Sequence, residues 1–279
     1  MSEFCILLAA PRSGTQLLGA GVGSGFNAIW LQEIFHELYG RPGTPYAEMD
    51  NLFERSSFFN FRASLIARDI RFAFPSTEIQ REIFARYLDH LRSLAGGAHI
   101  LIDVKYNSWH HLNDYWANAD DCPLLAKIVM DHRISVVHVT RRNLFSQYCS
   151  IMMARQTGVW HASHELPAPI ALTINPQDCA NLMDKMERRV RTFEDWFSGY
   201  PMAQLAYEDI IANGEFTPVV KNTFGSVFGD GPVAPLQIQY RKILPSLPDV
   251  IANGSELLRY FNDTPYSEMV SDALTGDRR

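Results

Sequence analysis

The residues Pro11-Arg12-Ser13-Gly14-Thr15-Gln16 directly follow an unbroken apolar run, Phe4-Cys5-Ile6-Leu7-Leu8-Ala9-Ala10. The run has the length and composition of a strand buried on both faces of a parallel sheet. Gln16 to Val22 then reads as the start of a helix. A loop between a strand end and a helix start collects backbone N–H groups and the positive end of a helix dipole, so it suits an anion. Gly14 lets the backbone come close to that anion, Ser13 and Thr15 add hydroxyls, and Arg12 adds a planar cation for phosphate oxygens. The G-x-x-x-x-G-K-[ST] pattern of ordinary ATP and GTP enzymes is absent: the first glycine is missing and no lysine follows Gly14. The plain alternative is a simple strand-to-helix turn.

A second candidate follows another strand pattern, Ile134 to Thr140. It comprises Arg141-Arg142-Asn143 and a helix running past Ser150. Arg142 and Ser150 stand eight residues apart, which on a helix is about 12 Å of rise and about 80° of rotation. Both could reach one phosphate, with Arg141 as a second cation. Two such sites at the ends of two parallel strands imply a ligand with two separated anionic groups. Lys105 closes a further strand, His99 to Lys105, where parallel sheets bind ligands. A solvated strand end is the plain alternative for Lys105. His110-His111 and His161-x-x-His164-Glu165 supply no three-ligand metal spacing, so no metal site is expected.

The elements that must position these groups are legible in outline. Phe26 to Ile29 reads as a short strand, and Trp30 to Tyr39 as a turn and helix. Thr77 with Gln80 resembles a capping box ahead of Ile79, Ile83, Phe84, Tyr87, Leu88 and Leu91, and Gly96-Gly97 stops that helix. Asn175-Pro176 opens another helix, with Leu182, Met186, Val190, Phe193 and Phe197 on its apolar stripe. Met202 to Ala206 reads as a strand and Val250 to Phe261 as the last helix. Strands alternating with helices predict an α/β fold, a central and mainly parallel sheet flanked by helices. One domain over residues 1–279 is the simplest organisation.

The 279 residues carry a net charge of −6, which disfavours a general nucleic-acid binder. Cys5, Cys122, Cys149 and Cys179 are scattered, and read as free thiols in a reducing compartment. The N-terminus lacks a basic flank, and its apolar run stops at Pro11. A cytoplasmic protein without a membrane span is therefore expected. A homodimer is compatible with the sequence.

Pro11-Arg12-Ser13-Gly14-Thr15 resembles the 5′-phosphosulfate loop of sulfotransferases that use 3′-phosphoadenosine 5′-phosphosulfate (PAPS), and Arg142-Asn143 with Ser150 resembles their 3′-phosphate motif. The bacterial branch acting on carbohydrates, including trehalose and Nod-factor enzymes, is the most similar. Glu33-Ile34-Phe35 resembles its Glu-x-Phe segment, and Tyr207-Glu208-Asp209 its Y-E-D turn. Arg241-Lys242, Ile251-Ala252-Asn253 and Thr264-Pro265-Tyr266 resemble its C-terminal pattern. Residues 42–98 match nothing in it.

The resemblance implies a single sulfotransferase domain with a P-loop-like, three-layer fold and metal-independent chemistry. It implies PAPS as donor, PAP as product, and an acceptor hydroxyl on a carbohydrate or small hydroxylated metabolite. Pro11 to Gln16, Arg142, Ser150, Arg241 and Lys242 would bind the cofactor. Glu33 would be the general base, with His36 as the competing base, and Arg12 and Lys105 would stabilise leaving-group charge. Trp160 and His161 could pack near the nucleotide or the acceptor. Lys105-Tyr106-Asn107 stands where animal cytosolic enzymes have Lys-Thr-His, so their histidine base is absent here. Two other functions remain open: a P-loop-type small-molecule or nucleotide kinase, and a catalytically inactive PAP-binding scaffold.

Overall fold

The computed structural model describes residues 3–36, 51–114, 117–118, 120–160, 170–229, 231–240 and 246–275. The chain opens with β1 (Phe4–Ala9), α1 (Thr15–Gly25) and β2 (Ala28–Trp30). Then come α2 (Asn51–Ser56), α3 (Phe58–Arg68), α4 (Thr77–Ala95), β3 (His99–Lys105), α5 (Leu124–Asp131), β4 (Ser135–Thr140) and α6 (Leu144–Thr157). The remainder is α7 (Pro176–Trp196), β5 (Met202–Ala206), β6 (Ile211–Ala212), β7 (Glu215–Phe216), α8 (Pro218–Phe228), α9 (Leu247–Val250), α10 (Gly254–Phe261) and α11 (Ser267–Thr275).

Five strands form one parallel sheet in the order β2-β3-β1-β4-β5. Every residue of β1 is buried, as its unbroken apolar run requires of a central strand. Alternate side chains feed opposite layers. Ile6 and Leu8 join a core with α3, α4, α5 and the end of α7. Cys5, Leu7 and Ala9 join a core with α1 and α8. This is a three-layer α/β fold. A third cluster packs α6 and α7 against α9, α10 and α11.

Local sequence explains most boundaries. Asn143 caps α6 by accepting from the Ser146 N–H at 2.7 Å, and Asn175 caps α7 by accepting from Asp178 N–H at 3.0 Å. Gly96, at φ 58°, ends α4 in the left-handed conformation.

Three expected elements differ. The cap of α4 is Ser76, whose hydroxyl accepts from Ile79 N–H, and Thr77 is the first helical residue. Residues 31–36 form no helix: Gln32 adopts φ 54°, 31–32 run on beside β3, and one turn follows with His36 N–H on Glu33 O at 2.9 Å. Residues 37–39 lie outside the described residues. The helix expected over Val250 to Phe261 is split. Ile251 and Asn253 pair with Leu172 and Ile174, the Asn253 side chain both accepting from and donating to Ile174 backbone. Nor is it last, since α11 follows.

All four cysteines are free, and no helix among the described residues is long and apolar enough to cross a membrane.

Candidate active site

The register sets Ala9 of β1 opposite Lys105 of β3 on one side and Val139 of β4 on the other. The loops after these three strands therefore leave the sheet side by side. The connection from β1 runs to one side of the sheet and the chain later crosses to β4 on the other, so this edge is a topological switch point, where open α/β sheets bind ligands. The two segments around Arg12 and Arg142 are neighbours here, as the sequence required.

The loop after β1 is bent by two left-handed residues, Arg12 at φ 67° and Gly14 at φ 81°. Gly14 is also sterically required, because a Cβ there would lie 2.6 Å from Tyr207 Cδ2. Gly14 precedes α1 without any side-chain cap, and no acidic residue occupies the first turn. No N-cap side chain therefore takes up the N–H groups at this helix start. Gln147 of α6 braces the loop, donating from Nε2 to Pro11 O at 2.7 Å and to Ser13 Oγ at 3.1 Å.

Two guanidiniums crowd this loop. Arg12 donates from Nε to Ser150 Oγ at 3.0 Å and from Nη1 to the Trp160 carbonyl. Arg141 donates from Nη1 to Arg12 O at 3.2 Å and stacks over the Tyr207 ring at 4.5 Å. Arg141 is 9% exposed, and its Nε has no partner among the described residues. Burial first, then the charge of Arg141, lowers the pKa of Arg12; burial likewise lowers that of Arg141. Neither forms an ion pair with a carboxylate among the described residues. A buried guanidinium (Arg141) beside a half-buried one (Arg12) is costly without nearby negative charge, and an anion bound here would offset that cost.

Lys105 lies on the other flank, buried, donating from Nζ to Thr15 Oγ1 at 2.6 Å and to Asp103 Oδ2 at 2.5 Å. Glu33 Oε1 is 3.7 Å from the same ammonium, with its side chain a quarter exposed. Gln16 reaches across to Gln32, Nε2 to Oε1 at 3.4 Å. His36 is half-buried, one turn beyond Glu33.

The structure thus draws together Pro11 to Gln16, Glu33, Lys105 and Ser150. Arg142 is arranged otherwise: its exposed guanidinium grips both Asp209 oxygens at 2.8 and 2.5 Å, while Glu208 accepts from the Arg142 and Asn143 N–H groups at 3.1 Å each. In this arrangement Asp209 holds the arginine that was expected to share one phosphate with Ser150, and Arg12 holds the serine. Arg241 and Lys242 lie outside the described residues, as do His161, His164 and Glu165. No cluster of three or more His, Cys, Asp or Glu suited to a metal occurs among the described residues. His111 instead packs on Phe35 and Phe59.

Sequence reasoning passed over Asp103, Tyr207 as a loop wedge, and Gln147. Only Asp103 left a signal: an acid two residues before a lysine in a buried strand puts both on one face.

No protein-family model matches the chain, and no curated protein does. Among solved structures, two similar chains are the sulfotransferase domain from the Synechococcus PCC 7002 olefin synthase and the sulfotransferase domain from the curacin biosynthetic pathway. The first is 13% identical with a TM-score of 0.42, covering 82% of this chain and 73% of the other. The second is 13% identical with a TM-score of 0.43, covering 82% and 75%.

Proposed function

We propose that this protein is a PAPS-dependent sulfotransferase that moves a sulfuryl group onto an acceptor hydroxyl of a carbohydrate or small hydroxylated metabolite. The observation that carries the proposal is the convergence of Arg12, Arg141 and Lys105, from three adjacent strand ends, on the uncapped start of α1. That arrangement fits a ligand with a phosphosulfate at the loop and a second phosphate one arginine away.

The chemistry needs alignment, proton removal and charge stabilisation on the departing phosphate oxygen. Backbone N–H groups of 13–16 hold the phosphosulfate. Arg12 and Lys105 neutralise the negative charge that builds on the leaving oxygen. Glu33 accepts the hydroxyl proton as the acceptor oxygen attacks sulfur in line, and its distance of 3.7 Å from the Lys105 ammonium puts base and leaving-group cation side by side. Arg142, Ser150 and the C-terminal Arg241 and Lys242 complete the cofactor contacts. The cationic charge comes from side chains, so no metal is required.

The test is thermal melting with PAP or ATP, each with EDTA or magnesium, followed by transfer from labelled PAPS to a panel of sugars, lipids and phenols. PAP should raise the melting temperature in EDTA and label should reach an acceptor. Stabilisation by magnesium-ATP alone would establish the kinase instead. PAP binding with no transfer to any acceptor would establish the inactive scaffold.

A further inference from the structure

Asp103 has no exposed surface, and its side chain shares a face of β3 with Lys105. Two charged groups inside a central strand are poorly explained by stability, since apolar residues would fill the space as well or better. Their connections suggest another role. Asp103 Oδ2 takes one ammonium proton of Lys105 at 2.5 Å and Thr15 takes another at 2.6 Å, which fixes the ammonium between the phosphate loop and Glu33. The Asp103 N–H also donates to Gln32 O at 2.8 Å, anchoring the backbone just before Glu33. One residue thus orients the cation and steadies the segment carrying the base.

We infer that Asp103 is a positioning residue for the transfer reaction, holding Lys105 so that one ammonium serves both the leaving anion and Glu33. The inference rests on the sulfotransferase reading. The charged groups around Asp103 are Lys105 on its own strand and Glu33 after β2. Thr15 of α1 is polar, and the residue in register on β1 is the apolar Leu7. Burial raises the Asp103 carboxyl, Lys105 opposes that rise, and Glu33 adds to it. Two carboxylates therefore share one ammonium. Asp103→Asn keeps the shape and the backbone link but removes the buried charge that fixes the ammonium between Thr15 and Glu33.

The experiment compares kcat and KM for PAPS in the wild type and in Asp103→Asn, with melting curves to check folding. The expected result is a kcat at least tenfold lower with a KM for PAPS within about threefold. A wild-type kcat in a folded Asp103→Asn would overturn the inference while leaving the transferase intact. A wild type that transfers nothing would sink the transferase reading itself. A second measurement needs no turnover and no Asp103 variant. The ligand-free wild type should show a slowly exchanging Lys105 ammonium signal in 1H–15N spectra, assigned by its loss in Lys105→Arg. Its absence would also overturn the inference.

Discussion

Arg12 donates from Nε to Ser150 Oγ across 3.0 Å, tying the loop after the first strand to the helix after the fourth, 138 residues further along. The contact makes the two anion-binding candidates one surface. It also places a cation of the loop after β1 beside Ser150, where the resemblance expects a second phosphate to be held. Predictions at this surface follow from which cations are paired and which are not.

Arg141 is buried and its Nε has no partner among the described residues, so an anion bound there would offset part of its desolvation. Arg141→Met should weaken PAP at least tenfold by calorimetry, while the ligand-free melting temperature holds or rises. Unchanged affinity would remove Arg141 from the site.

Arg142 is held by Asp209, an exposed pair worth at most about 1 kcal/mol. The Arg142 guanidinium must leave Asp209 to take a 3′-phosphate. Asp209→Asn should then tighten PAP by up to about fivefold and leave AMP, which lacks that phosphate, unaffected. Equal effects on both ligands would contradict a role for Arg142 in reading the 3′-phosphate.

Gly14 combines φ 81° with a missing Cβ that would strike Tyr207 at 2.6 Å. Gly14→Ala should cost more than about 2 kcal/mol in urea denaturation and abolish detectable PAP binding. Adding Tyr207→Ala should recover part of the stability, because it removes the clash and leaves the backbone strain. A double variant no more stable than Gly14→Ala would show that the ring is not the obstacle.

Glu33 stands beside Lys105 at the mouth of the loop. Glu33→Gln should lower kcat by about a hundredfold or more with PAP affinity within about threefold. If turnover survives and falls only in His36→Asn, the base is His36.

His138 is fully enclosed in β4, its Nε2 within 2.5 Å of the Tyr106 hydroxyl, and burial pushes its pKa down to about 4. The unfolded chain binds a proton near pH 6.5 and the folded one only near 4, so stability is full above pH 6.5 and falls as pH drops toward 4. Urea denaturation should show about 2 kcal/mol less stability at pH 5 than at 7.5 from this group. His138→Gln should flatten that slope, and a slope identical to wild type would assign the loss to other residues.

Some of this was written locally. The strand-to-helix loop at residues 11–14 could be read from an apolar run broken at Pro11 and followed by Gly14, because a central parallel strand must be apolar on both faces and the bend needs a residue tolerant of positive φ. The α/β class, the strands at 99–105 and 202–206, and the Asn175 cap rest on short-range patterns of the same kind. The failures were also physical. Residues 250–261 have helical composition, but pairing of 251–253 with 172–174 overrides it. Residues 51–68 offered no recognisable motif, although their apolar side chains complete the core beside α4.

The sequence by itself determined that two basic loops would follow two buried strands, and that charge at the site would come from arginine and lysine. Tertiary structure decided which cation does what: Arg141 turns inward, Arg142 is claimed by Asp209, and Asp103 holds Lys105 toward Thr15. The reason is that strand register and helix packing set which distant groups meet. The direction of a long charged side chain is then chosen by those partners, and not by its neighbours along the chain.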